Sequence, residues 1–301
     1  MAKDKVLYFN EGVASVEDSF FLGGLFYEFE ETETEVTRVV GYEPGEWFWP
    51  GDVEGIVSSL VKFYINGQPA LMALTRTGGC TLFVGDDMDE SQVPIDPGYL
   101  FSAVLVGDSI VACGSQNQMW RWNNGAWSRL GTGAGVNDQS GAVNALYSVS
   151  GTGMDALYAV GNAGNIVVFD GTAWSEISSP TNVPLNRVLS LGGGEIYIAG
   201  RMGQAFHSVS QGEWHPLVME GLKDNFWNIR RFKGEVYLST ATALFRVAGS
   251  ELERVDVGDS GPTDFARLFA NDSYMWATTG TDQVFRFDGG DWVELVFPDN
   301  A

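Results

Sequence analysis

Aromatic-led apolar runs alternate with short Gly, Thr and polar turns along this chain, and the alternation returns about every forty residues. The segments YAVGNAGNIVVFDGTAWSEI (158–177), YIAGRMGQAFHSVSQGEWHPL (197–217), YLSTATALFRVAGSELERV (237–255) and WATTGTDQVFRFDGGDWVEL (276–295) each read as strand, turn, strand, tight turn and anchor residue. Their first residues, Tyr158, Tyr197, Tyr237 and Trp276, lie 39, 40 and 39 apart, and the anchors Trp174, Trp214, Leu252 and Trp292 lie 40, 38 and 40 apart. Weaker copies run upstream in VACGSQNQMWRWNNGAW (111–127), MALTRTGGCTLFVGDDM (72–88) and FFLGGLFYEFEETETEV (20–36), which makes seven units. A further apolar stretch, such as NRVLSLGG or NALYSVSG, stands between successive units and supplies a fourth strand.

Four short strands per unit, seven units and no sustained helical period predict an all-β fold, a seven-bladed β-propeller with four antiparallel strands per blade, as one domain over 1–301. One four-stranded sheet cannot bury both faces alone, so each blade must pack on its neighbours. Trp127, Trp174, Trp214 and Trp292 recur at one repeat position and are expected to pack sheet against sheet. Closure of the ring is expected where KVLYF (5–9) pairs near WVELVF (292–297). The turns WNNGAW (122–127), FDGTAW (169–174) and FDGGDW (287–292), with the YIAG strand (197–200), resemble bacterial propellers with degenerate Asp-box or kelch-like blades. That resemblance implies the fold and leaves the function to the site residues.

One segment breaks the rhythm. The interval from Phe20 to Met72 is 52, so GYEPGEWFWPGDVEG (41–55) is expected to be a long connection between blades carrying about a dozen inserted residues. Ordered insertions of that size are more often functional than idle. Tyr42, Trp47 and Trp49 among Glu43, Glu46, Asp52 and Glu54 have the composition of a docking patch for a basic, partly apolar partner, with folding back over the first blade as the competing reading for each ring. PIDPGYL (94–100), with Tyr99, and KDNFWN (223–228), with Asp224, Phe226 and Trp227, are expected to open on the same face. Arg76, Asn117, Asn162, Arg201 and Asp282 should join them from the inner turns. The run EFEETETE (28–35) reads as a solvated hairpin and GTGAGVNDQSG (131–141) as a flexible insertion; DDMDE (86–90) lacks the spaced oxygen ligands and Gly of a calcium loop and reads as a solvated turn in preference to a calcium site.

Charge narrows the partners. Thirty-nine acidic against 17 basic residues give −22, which opposes nucleic acid phosphates and anionic lipid and favours a basic protein. Residues 1–100 hold 18 acidic and 5 basic residues, over half of the net charge in a third of the chain. Catalytic groups are scarce. Two histidines, His207 and His215, exclude most His-dependent and zinc sites, no GxSxG or GxxxxGK motif is present, and no cofactor is expected. Cys80 and Cys113 sit in apolar strands and read as buried free thiols.

The N-terminus lacks the apolar run of a signal peptide, so a cytoplasmic location is expected, and the propeller is expected to act as a monomer. The reading that follows is a non-catalytic, acidic, immunity-type protein that neutralises a basic toxin or effector. The alternatives are a glycan-binding, lectin-like propeller and a sialidase-like hydrolase, for which Arg76, Arg187, Arg201 and Arg230 are the candidate arginines.

Overall fold

A computed structural model describes residues 6–26, 35–133, 135–136 and 144–300 of the chain. The first sheet holds β1 (Leu7–Ala14), β2 (Phe20–Phe26), β3 (Val36–Glu43) and β4 (Glu46–Glu54), and the second holds β5 (Val57–Ile65), β6 (Gln68–Thr75), β7 (Gly79–Val84) and β8 (Asp87–Gln92). The third is β9 (Leu100–Val106), β10 (Ser109–Gly114), β11 (Met119–Asn123) and β12 (Ala126–Arg129). The fourth is β13 (Leu146–Gly151), β14 (Leu157–Gly161), β15 (Ile166–Phe169) and β16 (Trp174–Glu176). The fifth is β17 (Leu185–Gly192), β18 (Glu195–Gly200), β19 (Ala205–Ser208) and β20 (His215–Pro216). The sixth is β21 (Asn228–Phe232), β22 (Glu235–Ser239), β23 (Leu244–Ala248) and β24 (Glu251–Arg254), and the seventh is β25 (Arg267–Ala270), β26 (Met275–Thr278), β27 (Val284–Phe287) and β28 (Trp292–Glu294).

In every sheet, strands adjacent in the chain are adjacent in space. The architecture is therefore a seven-bladed β-propeller with four antiparallel strands per blade. Among the described residues no helix is long and apolar enough to cross a membrane.

The chain forms two compact units, Met1–Gln92 with Arg230–Arg246 and Arg254–Ala301, and Val93–Ile229 with Val247–Glu253. In the first unit β1 lies beside β5 and beside β25; in the second, β13 lies beside β9 and β17. First strands are thus innermost, and fourth strands form the outer edges. The chain ends meet by packing rather than by the pairing expected of residues 5–9 with 292–297. β1 pairs with β2, β28 pairs with β27, and the Phe9 ring meets Phe297 edge-on at 5.7 Å.

Local chemistry explains the repeating turns. Asn124 and Gly125 both adopt positive φ in the tight turn joining β11 to β12, which suits Asn-Gly and matches the twist of the flanking strands. At the equivalent turns Asp170 Oδ1 accepts hydrogen bonds from the Thr172 and Ala173 N–H groups, and Asp288 Oδ1 from those of Gly290 and Asp291. The Ala173 and Thr172 donors hold the Asp170 carboxyl below its ordinary range, and those of Gly290 and Asp291 do the same for Asp288.

The glycine that ends YIAG has a steric cause. In the third, fourth and fifth sheets the second strand ends on Gly114, Gly161 or Gly200. The next residue's N–H donates to the carbonyl just before that sheet's first strand: Ser115 to Tyr99 at 2.8 Å, Asn162 to Ala145 at 2.9 Å and Arg201 to Pro184 at 3.0 Å. A Cβ on the glycine would stand 2.1, 1.8 and 2.2 Å from the same three oxygens. Gly161→Ala is accordingly expected to cost about 2 kcal/mol through enforced displacement of the connection. A lowered urea midpoint with an unchanged slope would register it.

Of the repeated tryptophans, Trp174 and Trp292 are buried, while Trp127 and Trp214 are half-buried. Trp174 Nε1 donates across to the Leu130 carbonyl at 2.9 Å, and Trp214 Nε1 to the Ser178 carbonyl at 3.0 Å. Each of these two rings therefore ties its own outer strand to the chain that leaves the preceding one. Cys80 and Cys113 are buried and form no disulfide, and burial pushes the Cys113 thiol above its ordinary pKa, which disfavours the thiolate.

Candidate protein-binding surface

Residues 41–55 are not a connection between blades. They end β3 and form β4, the outer hairpin of the first sheet, turning at Pro44 and Gly45, where Gly45 has φ +86°. The extra length between Phe20 and Met72 lies instead in the stretch from Phe26 to Val36 and in strands of eight and nine residues. Residues 28–34 of EFEETETE lie outside the described residues, as do Ala134 and 137–141 of the Gly-rich insertion.

Pairing across the hairpin sorts its rings. Trp47 lies opposite Tyr42, with centroids 5.0 Å apart, and also meets Phe20 at 5.6 Å and Phe297 at 5.1 Å. Tyr42 is 8% exposed and stacks on Phe20. Both rings pack over the first sheet, as in the folding-back reading, with Tyr42 buried and Trp47 partly exposed. Phe48 lies opposite Gly41 and covers it: a Cβ there would come 2.2 Å from the ring.

Between Phe48 and Gly51 the register slips, leaving Trp49 and Pro50 opposite Val40 as a bulge. Proline fits this position because a bulge releases one strand from donating to the ladder. The bulge turns Trp49 outward, where it is 57% exposed. Beneath it lies the Arg38 guanidinium, 3.9 Å from the ring centroid, paired with Asp52 through bonds of 3.0 and 3.1 Å. Asp52 is thus partly neutralised, and the cation under Trp49 comes from this chain.

The first and second sheets leave two openings between them. One, of about 520 Å³, has Phe48, Trp49 and Pro50 on one side, Phe83 and Met88 on the other, and Glu43, Asp86 and Asp87 at its rim. The other, of about 430 Å³, lies toward the opposite ends of β4 and β8 and has Glu35, Glu54 and Glu90 among its lining residues. Glu46, Glu54, Met88 and Glu90 are exposed. In DDMDE only the turn is legible from sequence, and Met88 with its acidic neighbours is hidden there; Asp87–Gln92 is a strand with all six residues exposed.

The second unit holds the remaining candidates, on connections between sheets as expected. Tyr99 is 52% exposed and its backbone is pinned by Ser115, whose Oγ accepts from Tyr99 N–H at 3.0 Å. Trp227 is partly open at 37%, but Phe226 beside it is fully buried and belongs to the core. Asp224 is exposed, and its carbonyl accepts from Gly203 N–H at 2.8 Å.

Arg76 and Arg201 stand exposed on inner turns, while Arg187 and Arg230 lie on first strands. Burial disfavours the charge on Arg230, with Glu11 opposing that effect. His207 pairs in register with His215, stacks on Tyr197 at 4.4 Å and has its pKa lowered by burial.

Fold and surface together define a seven-bladed β-propeller bearing exposed rings among carboxylates, without a cluster of metal-ligating side chains among the described residues. No family model matches the sequence. Over 294 residues, covering 94% of this chain and 95% of the relative, it is 26% identical to "Immune protein Tsi7" of Pseudomonas aeruginosa. The fold is similar to the WD40 β-propeller domain of Doa1, with TM-score 0.71 and 12% identity over 96% of this chain and 95% of that one. It is similar also to YCF48 from Cyanidioschyzon merolae, with TM-score 0.65 and 12% identity over 100% and 98%. YCF48 bound to D1 peptide gives TM-score 0.63 and 14% identity over 95% and 93%.

Proposed function

We propose that this chain is an immunity-type protein that binds a basic toxin or effector and neutralises it by covering its working surface, as a monomer and without chemistry of its own. The likeness to an immune protein along nearly the whole of both chains carries this reading. A net charge of −22, with its densest share in the first hundred residues, supports a basic partner. Trp49, Phe48 and Met88, 57, 37 and 48% exposed, supply the apolar anchors that charge alone lacks. A glycan reading draws less support. The residue just before the first strand is Tyr99 or Trp227 in the third and sixth sheets, but Ile56, Ala145, Pro184 and Ala266 in others, so an aromatic at that position does not recur in every blade.

Protection is the test. Cells killed by induced expression of a basic antibacterial toxin from the source genome are expected to grow when this chain is co-expressed, and the two proteins to co-elute at a fixed ratio. Death unrelieved by the chain, across the toxins of that genome, sinks the reading.

A further inference from the structure

Every sheet ends on a fourth strand at its outer edge, and five of these are short: β12 and β24 have four residues, β16 and β28 three, and β20 two; β24 is also covered in part by Val218, which bridges Glu251. Short outer strands blunt an edge against unwanted pairing. Two neighbours depart from this rule, β4 with nine residues and β8 with six. β4 is blunted in another way, because Pro50 and the bulge at Trp49 interrupt its ladder. β8 carries no proline or bulge, pairs in unbroken register with β7 from Val84↔Asp87 to Gly79↔Gln92, and takes no further strand among the described residues. Its side chains Asp87, Asp89 and Glu90 would repel a second copy of the same strand while attracting a cationic one.

The two openings beside β8 lie at its opposite ends. Both carry carboxylates, but the Trp49 and Met88 end adds exposed apolar side chains behind its acidic rim, whereas the Glu54 and Glu90 end has no aromatic or Met among its lining residues. Six residues of strand span about 20 Å, the reach of one short extended peptide.

Resting on the reading of this chain as a partner-binding protein, we infer that β8 is a strand-addition site. An extended segment of the partner pairs with its outer edge along Asp87–Ser91, sets an apolar side chain against Trp49 and Met88, and sets Lys or Arg against Glu54 and Glu90. Backbone bonding gives the affinity, and the two ends fix the direction of the segment.

The probes are fluorescent nine-residue synthetic peptides: one with Leu and Ile in its first half and Lys and Arg in its second, the reversed order, and the first with alternate amides N-methylated. Anisotropy is expected to show the better direction binding at least tenfold more tightly than the other, and no binding by the N-methylated form. The bound state should slow hydrogen exchange at the Asp87–Ser91 amides. Glu54→Lys with Glu90→Lys, both at exposed positions, should weaken binding at least tenfold at an unchanged melting temperature.

Equal binding of the N-methylated peptide, no preference between directions, protection elsewhere, or no binding at millimolar peptide overturns the strand-addition site. If the chain protects cells yet binds none of these peptides, the site falls and the immunity reading stands. If the peptides bind as expected and no toxin is neutralised, the reverse holds.

Discussion

Trp174→Ala is expected to destabilise the chain by about 3–5 kcal/mol, the range for removing a large aromatic side chain from a closed core. The ring is 2% exposed and packs on Phe169 with centroids 5.1 Å apart. It also covers Gly131, whose added Cβ would stand 3.1 Å from it. Its Nε1–H bond to the Leu130 carbonyl joins the fourth sheet to the chain leaving the third, so the loss falls on an interface between sheets as well as on one side chain. In a repeat architecture such interfaces carry much of the cooperativity. Trp174→Phe retains most of the apolar area and loses the bond, leaving a smaller deficit, while Trp214→Ala should cost less than Trp174→Ala because that ring is only half-buried. Urea denaturation at constant slope gives the comparison. A loss below about 1 kcal/mol for Trp174→Ala would mean that the repeated indoles do not hold the sheets together.

The same residues explain why the fold is legible in the sequence. A large ring used at one place in several interfaces recurs at the spacing of the blades, so Trp174, Trp214 and Trp292 disclose the period even though Leu252 takes that place in the sixth unit. Gly161 and Gly200 are equally visible, since each sits where a carbonyl leaves no room for a Cβ. The first sheet is harder to read because its outer hairpin contains the residues that usually mark a loop. Gly41 is there to admit the Phe48 ring, Gly45 to make the turn, and Pro50 to occupy a bulge.

Each of those three roles is compatible with a strand, yet together they imitate a connection. Trp47 and Trp49, two positions apart, ought to share one strand face; the bulge at Trp49 and Pro50 sends Trp49 to solvent while Trp47 packs inward. Composition alone does not contain that difference. Arg38 is invisible in the sequence as the partner of Trp49 and Asp52 because strand pairing, and no sequence spacing, brings residues 38 and 52 face to face. Phe226 misleads for a related reason: an aromatic in a connection can be its anchor to the core as readily as its docking ring.

Charge reversal of Glu43, Asp86 and Asp87 to Lys is expected to slow association with the proposed basic partner about 10- to 100-fold at low salt, and to flatten the dependence of the rate on ionic strength. These carboxylates rim the opening beside Trp49, where a cationic surface would be steered before any short contact forms. Exposed charges are screened within about 8 Å at physiological ionic strength, so the wild-type rate should fall as salt rises while dissociation changes less. A control triple, Asp259, Asp272 and Asp291 to Lys, alters the net charge equally at exposed positions away from that rim. If steering depends on the placement of charge, the control stays close to wild type. If both triples slow association alike, the total charge of −22 does the steering and the rim has no special part. If neither does, the acidic surface is not where the partner docks, and the exposed Tyr99 and Trp227 connections become the surface to alter next.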